Sequence, residues 1–292
     1  MAMTADDIMA HPALERCVRG QAQSLRSMHD ASPRISSPFA TQQRWLLGHA
    51  ALALYFRNEV ENPGAGMLAE RFLELVERHD LASRNTASDF LGEMHKYELI
   101  QFVAGSEGKR HRPFEPAPAV LMVLFHWHSV HLATLDGLDG GGRVKAFHAR
   151  PLLLRAIQPL IADGLIGSND VRKPPKTFEL FTWINEGGAV MDRLIAGCQP
   201  AAAGSERILT DVMSISELSR DISLSRTHLG RKLSEAESFG SLGWSGARGR
   251  SPLWVSAGFR REYHSAQAVK LAIIDAAFET CVVAGRPAAD VA

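Results

Sequence analysis

Two short stretches concentrate hydrogen-bond donors in the same pattern. Ser83-Arg84-Asn85-Thr86 is echoed, at a shift of 142 in the numbering, by Ser225-Arg226-Thr227-His228. In each, a serine stands where it can cap a helix, and the residues behind it carry guanidinium, amide, hydroxyl or imidazole groups. Ser88 extends the first set; Arg231 and Lys232 extend the second, one turn on. Side chains of this kind bond phosphate oxygens and base edges when a helix enters the major groove of a duplex. Each stretch also has a basic turn downstream, Lys109-Arg110-His111-Arg112 in the first and Arg248-Gly249-Arg250 in the second, suited to holding a phosphate backbone.

Other chemistry is weaker. His126, His128 and His131 lie close together, with His128 and His131 spaced to share a helix face. Two imidazoles with Asp136 or His148 could bind zinc, but no cysteine or tight carboxylate set completes the site, and polar positions at the interface between the two halves of the chain account for them better. Cys17 has Arg16 and Arg19 near it in sequence, which would favour a thiolate, although a buried structural thiol is the simpler reading. Trp45, Tyr55, Phe56, Trp127 and Trp183 could line a ligand crevice between helices or belong to the core. The chain has no Gly-x-Ser-x-Gly elbow, no phosphate-binding loop and no His-Glu-x-x-His motif. No catalytic residue, cofactor or metal ligand is assigned.

The elements that must carry the donors occur twice. Val130-His131-Leu132-Ala133-Thr134-Leu135-Asp136 reappears, at a shift of 139, as Val269-Lys270-Leu271-Ala272-Ile273-Ile274-Asp275. The same shift carries Pro12, Leu14 and Arg16 onto Pro151, Leu153 and Arg155, and Pro113 onto Pro252. Trp45 and Ala51 map onto Trp183 and Ala189 with a shift of 138. Ordered matches with small drifts point to duplication of nearly the whole chain. In the first copy, helical periodicity covers 12–28, 41–57, 67–79, 83–97 and 118–135, with a short strand at 99–103 and a return strand at 109–114. In the second it covers 151–163, 177–196, 215–222, 226–237 and 260–281, with strands at 242–244 and 253–255. Breaks fall at 31–38, at 168–176 and at the Ala/Gly loop 200–204, and Gly137–Gly142 reads as the linker between copies. The tail from Ala284 reads as frayed.

With 292 residues, 46% of them apolar, the chain has room for two ordinary domains with cores of their own. Formal net charge is zero, so a polyanion must be met by local patches. The two copies differ there. Leu68–Lys96 holds four basic and six acidic residues, and Ser216–Lys232 four basic and two acidic. The second copy should therefore hold phosphate better. No run of 18 apolar residues and no signal-peptide pattern is found, and three widely spaced cysteines suit a reducing compartment. These features lead us to expect a cytoplasmic protein that does not span a membrane.

Helix, tight turn, helix, small hairpin and long helix, in that order, resemble the MarR-like winged helix-turn-helix regulators. The likeness covers residues 12–136 and 151–281 and rests on element order and on the two serine-led helix starts. It implies a mainly α fold with small β-hairpins (α+β), built as tandem winged helix-turn-helix domains at 1–138 and 139–292 and arranged as a pseudo-twofold intrachain dimer. It also implies sequence-specific binding of double-stranded DNA to regulate transcription, with Ser83, Arg84, Asn85, Thr86, Ser88, Ser225, Arg226, Thr227, His228, Arg231 and Lys232 on recognition helices. Lys109, Arg110, His111, Arg112, Arg248 and Arg250 would sit in the wings. The family works as homodimers of single-winged chains, whereas this chain holds two unlike copies, so it should read an asymmetric site as a monomer or a further homodimer, with a small-molecule effector as a candidate ligand of the helical interface. The alternatives are a winged-helix protein-interaction or scaffolding module that does not bind DNA and, more remotely, a ligand- or metal-binding sensor.

Overall fold

The computed structural model describes residues 1–284 apart from Pro33, Arg34, Ser36, Lys109, Ala203 and Ser223, and only the backbone of Ser37, Val283 and Ala284. The protein is mainly helical with two small antiparallel sheets. In chain order the elements are α1 (Ala5–Ala10), α2 (Leu14–Ala31), a 3-10 turn (Ser37–Phe39), α3 (Gln42–Glu61), α4 (Ala69–Arg78), α5 (Arg84–Lys96), β1 (Ile100–Phe102), β2 (Phe114–Pro116), α6 (Pro118–Asp139) and α7 (Arg143–Ala149). They continue with α8 (Leu153–Gly167), α9 (Asn169–Arg172), α10 (Lys176–Thr182), α11 (Gly187–Ala196), β3 (Arg207–Leu209), α12 (Ile215–Asp221), α13 (Arg226–Ser238), β4 (Leu242–Trp244), β5 (Leu253–Ser256) and α14 (Ala257–Ala284).

Several elements fall on the repeat. A shift of 142 carries α5 onto α13 and β1 onto β4 from first residue to last. A shift of 139 carries the start of α6 onto that of α14, and the start of α2 onto that of α8. The offset changes inside the hairpins. The connection between strands runs over 103–113 in the first and over 245–252 in the second, so the longer turn of the first copy accounts for the drift.

The chain forms two compact units, each drawn from more than one stretch of sequence. Unit 1 contains Met1–Thr4, Gln43–Arg172 and Lys270 onward; unit 2 contains Ala5–Gln42 and Lys173–Val269. Thus α2 belongs to unit 2, and its repeat equivalent α8 to unit 1.

In unit 1, Phe72 of α4 stacks on Phe90 of α5 with centroids 6.1 Å apart, closing a buried apolar contact. β1 pairs with β2 in the register Ile100–Pro116, Gln101–Glu115, Phe102–Phe114. Met67 adds a bridge to Phe114 just ahead of α4, with mutual backbone hydrogen bonds of 2.7 and 2.8 Å. Pro118 opens α6 at a position whose N–H would have no helical partner. The expected linker Gly137–Gly142 is shorter than its glycines suggest. Helix α6 runs through Asp139 and ends where Gly140 takes φ 75°, a left-handed cap that favours glycine. Helix α6 is also long and apolar enough to cross a bilayer by length and composition alone. In unit 1 it buries Val130, Leu132, Leu135 and Leu138 together with His128, His131 and Thr134.

In unit 2, α2 packs on α11. The single helix expected over 177–196 is broken. Glu186 adopts φ 59°, and a side chain on Gly187 would put its Cβ 1.6 Å from the Phe181 carbonyl oxygen. Only glycine fits there, and the chain turns between Trp183 and Glu186 before α11 begins. A second departure is β3, which lies just beyond the expected Ala/Gly loop. The sheet order is β3-β5-β4, with β5 central and antiparallel to both neighbours. Helix α12 starts at Ser214, whose hydroxyl accepts from the Glu217 N–H at 3.1 Å, while the Glu217 carboxylate accepts from the Met213 N–H at 3.1 Å. This reciprocal pair resembles a capping box displaced by one residue.

Candidate nucleic-acid interface

Unit 2 holds the better-formed candidate. Ser225 caps α13: its Oγ accepts from the His228 N–H at 3.2 Å. Leu229, Leu233 and Ala236 are buried on one stripe, which fixes the helix's rotation and leaves Arg226, Thr227 and Arg231 exposed. His228 and Lys232 are half-buried. Arg231 Nη2 lies 3.5 Å from His228 Nδ1, and Lys232 pairs with Glu235 at 3.1 Å. Arg226 makes no ion pair among the described residues.

The turn between β4 and β5 divides its two arginines. Arg248 folds back onto α13, donating to Glu237 at 3.1 Å, to the Gly230 carbonyl at 3.2 Å and to the Ser234 hydroxyl. Arg250 is exposed, and its guanidinium has no ion pair among the described residues. Arg248 therefore fixes the turn to the helix, and Arg226, Arg231 and Arg250 remain as exposed cations. On the sheet, the Arg207 guanidinium lies over the Trp254 ring at 4.2 Å. This cation–π pair is not legible in the sequence, because a three-residue strand beside an Ala/Gly loop has too little periodicity.

In unit 1 the serine-led helix α5 has different electrostatics around it. Ser83 caps α5, accepting from the Thr86 N–H at 3.2 Å, and Ala87, Phe90, Leu91 and Met94 are buried. Asn85, Thr86 and Ser88 are exposed. Arg84, however, is engaged by α4: Nη2 donates to both carboxylate oxygens of Glu70 at 2.7 and 2.8 Å, and Nη1 to Glu77 at 3.2 Å. The hydrogen bonds to Glu70 hold its pKa above the ordinary arginine value. In the turn between β1 and β2, Arg110 and His111 are exposed, whereas Arg112 lies over the Phe102 ring at 3.8 Å. Phe102 in turn stacks on Phe114 at 4.6 Å. Lys109 lies outside the described residues.

The candidate zinc ligands do not converge. His128 and His131 each donate Nδ1–H to a carbonyl one turn back, Leu124 at 2.8 Å and Trp127 at 2.7 Å. Asp136 faces Arg143, His148 bonds Ser129 at 2.9 Å, and His126 is exposed. Among the described residues no group of three or more His, Cys, Asp or Glu could hold a metal ion. The aromatic residues also separate: Trp45 and Trp127 pack together in unit 1, while Trp183 of unit 2 is 61% exposed. Of the cysteines, Cys198 is buried, and burial pushes its thiol up to about 11; burial also raises Cys281. Arg19, considered as an activator of Cys17, pairs with Glu15 at 3.5 Å.

No protein-family model, curated protein or solved structure matches the chain.

Proposed function

We propose that the protein binds double-stranded DNA through unit 2 and regulates transcription from an asymmetric site. The observation that carries this reading is the set Arg226, Arg231 and Arg250: two exposed guanidinium groups on a serine-capped helix and a third on the adjoining hairpin turn. What supports the reading is the chain order of helix α12, helix α13 and the antiparallel hairpin, which is the order a winged helix-turn-helix would have, with β3 pairing in the order β3-β5-β4. In that arrangement the second helix enters the major groove and the hairpin turn meets the backbone. The MarR-like resemblance belongs to the same reading, as does descent of the two copies from one DNA-binding domain.

The copies would contribute unequally. In unit 1 the guanidinium of Arg84 is engaged by Glu70 and Glu77, so its charge is balanced before any phosphate approaches. This favours a second role for α5, as a weak DNA contact or as a protein-docking element. The test is fluorescence anisotropy with a labelled random duplex pool across a salt series, followed by sequencing of the bound fraction. The expected result is a steep fall of affinity with salt and an enriched motif without a palindrome. Absence of binding at low salt overturns the DNA reading, and a symmetric motif overturns the inequality.

A further inference from the structure

A cluster of imidazoles fills part of the core of unit 1. His49 of α3 is buried, and so are His128 and His131 of α6. All three surround Trp127, with ring centroids 5.1, 5.2 and 4.0 Å from it respectively, and Trp45 closes on His49 at 4.7 Å. His128 and His131 use Nδ1–H on main-chain carbonyls, which leaves their Nε2 atoms as buried lone pairs with no hydrogen-bond partner among the described residues. The His49 Nδ1 atom faces Gln158 Nε2 at 2.9 Å.

The described surroundings offer no anion to balance a positive charge. From α14, Lys270 approaches Trp127 at 6.0 Å and acts on His49 and His131 with the same sign they would acquire. From α8 the neighbour is the neutral Gln158, and from α7 it is the ring of Phe147, 5.9 Å from His128. His148, also on α7, turns to Ser129 instead. The remaining charges acting on the three rings are the rings themselves.

We propose that unit 1 is an acid-sensitive module whose α3–α6 contact opens when His49, His128 and His131 take up protons together. Burial holds His49 down to about 3 and His128 to about 4, and pushes His131 well below its ordinary value. The closed state thus excludes protons that the open state binds below the usual histidine value of about 6.5. Closure is fully favoured above that value and weakens as pH falls from there toward about 4. With three rings coupled, the open-to-closed ratio rises about a thousandfold per pH unit in the steep part of that window. No such cluster occurs among the described residues of unit 2. There, hydrogen bonding to Glu186 raises His29, while burial lowers His264, which faces Glu15, Arg19 and Arg260; the two act with opposite sign.

The test is hydrogen exchange of the full chain at pH 7.5, 6.5, 5.5 and 5.0, corrected for intrinsic rates. Peptides from α3 and α6 should lose protection by more than about a hundredfold between pH 6.5 and 5.0, against less than tenfold for α11 and α13. Unchanged protection in unit 1, or equal loss in both units, overturns the proposal. The double variant His128→Asn, His131→Asn keeps a side-chain donor near each carbonyl and should cut the pH slope from about three protons to about one; an unaltered slope overturns the assignment. If that variant does not fold at pH 7.5, site-resolved histidine titration of the parent protein decides. The three rings must remain neutral at pH 5.5 while the unit is closed, and a protonated ring in the closed state overturns the switch.

Discussion

Asp136 and Asp275, which the repeat places at equivalent positions, meet on one guanidinium. Arg143 donates Nε to Asp275 at 2.7 Å and Nη1 to Asp136 at 3.4 Å, while Nη1 and Nη2 also reach Asp139, each at 2.8 Å. Asp136 further accepts the N–H groups of Arg143 and Val144, and Asp275 accepts that of Met3. Hydrogen bonds to Asp139 and then Asp275 hold Arg143 far above its ordinary pKa, and Arg143 in turn lowers Asp139. One side chain thus ties the end of α6 and the start of α7 to α14.

Arg143→Leu should therefore be among the most destabilising single changes in unit 1. It strands Asp275, which is fully buried, without its cation. Breaking such a buried pair costs about 3–5 kcal/mol. Asp139→Asn, at a carboxylate 35% exposed, should cost about 1 kcal/mol or less. Urea unfolding of both variants checks the ranking, and equal losses would refute it.

Gly187→Ala should be worse than its size suggests. The added Cβ meets the Phe181 main-chain oxygen, which no rotamer change can move aside. A loss of about 3 kcal/mol or more is expected. Gly188→Ala is the control, since nothing lies within 4 Å of its added Cβ, and it should be neutral or stabilising by up to about 1 kcal/mol. Thermal melts in which the two alanines behave alike would contradict the close approach.

His29 should give unit 2 a pH dependence opposite in sign to that of unit 1. Its ring bonds Glu186 at 2.9 Å, and that bond raises its pKa. The contribution is fully present below the unfolded value of about 6.5 and disappears as pH rises through the raised folded value. His29→Gln should cost about 1–2 kcal/mol at pH 5.5 and much less at pH 9. Urea midpoints of parent and variant at the two pH values settle it, and a constant difference would show that the contact does not depend on charge.

What can be read from the sequence is local. Ser83 and Ser225 announce their helices because capping depends on a backbone N–H within the first turn, and both caps form as expected. The second hairpin and the helices that begin at Pro118 and Arg226 are legible for the same reason, whereas the return strand expected over 109–114 forms instead at Phe114–Pro116. What depends on distant partners is not. Nothing within 14–31 marks α2 as a member of unit 2, since an amphipathic stripe does not specify what covers it. The break at Glu186 is set by the fit of Gly187 against Phe181 and by the contact with His29. The engagement of Arg84 depends on Glu70, which lies on another helix.

That last pairing gives the sharpest test of the proposed inequality between the copies. Arg226→Ala and Arg231→Ala should each weaken duplex binding, by about 1–3 kcal/mol where the side chain reads a base, and each should reduce the salt slope by about 1 where it contacts phosphate. Arg84→Ala should change affinity by less than about twofold, because the lost guanidinium already served Glu70 and Glu77. The double variant Glu70→Gln, Glu77→Gln runs the argument in reverse. It frees Arg84 and removes two anions beside the helix start, so affinity and salt slope should both rise. Anisotropy titrations at two salt concentrations separate the outcomes. An Arg84→Ala loss as large as that of Arg226→Ala would make the two copies equal readers and refute the asymmetry.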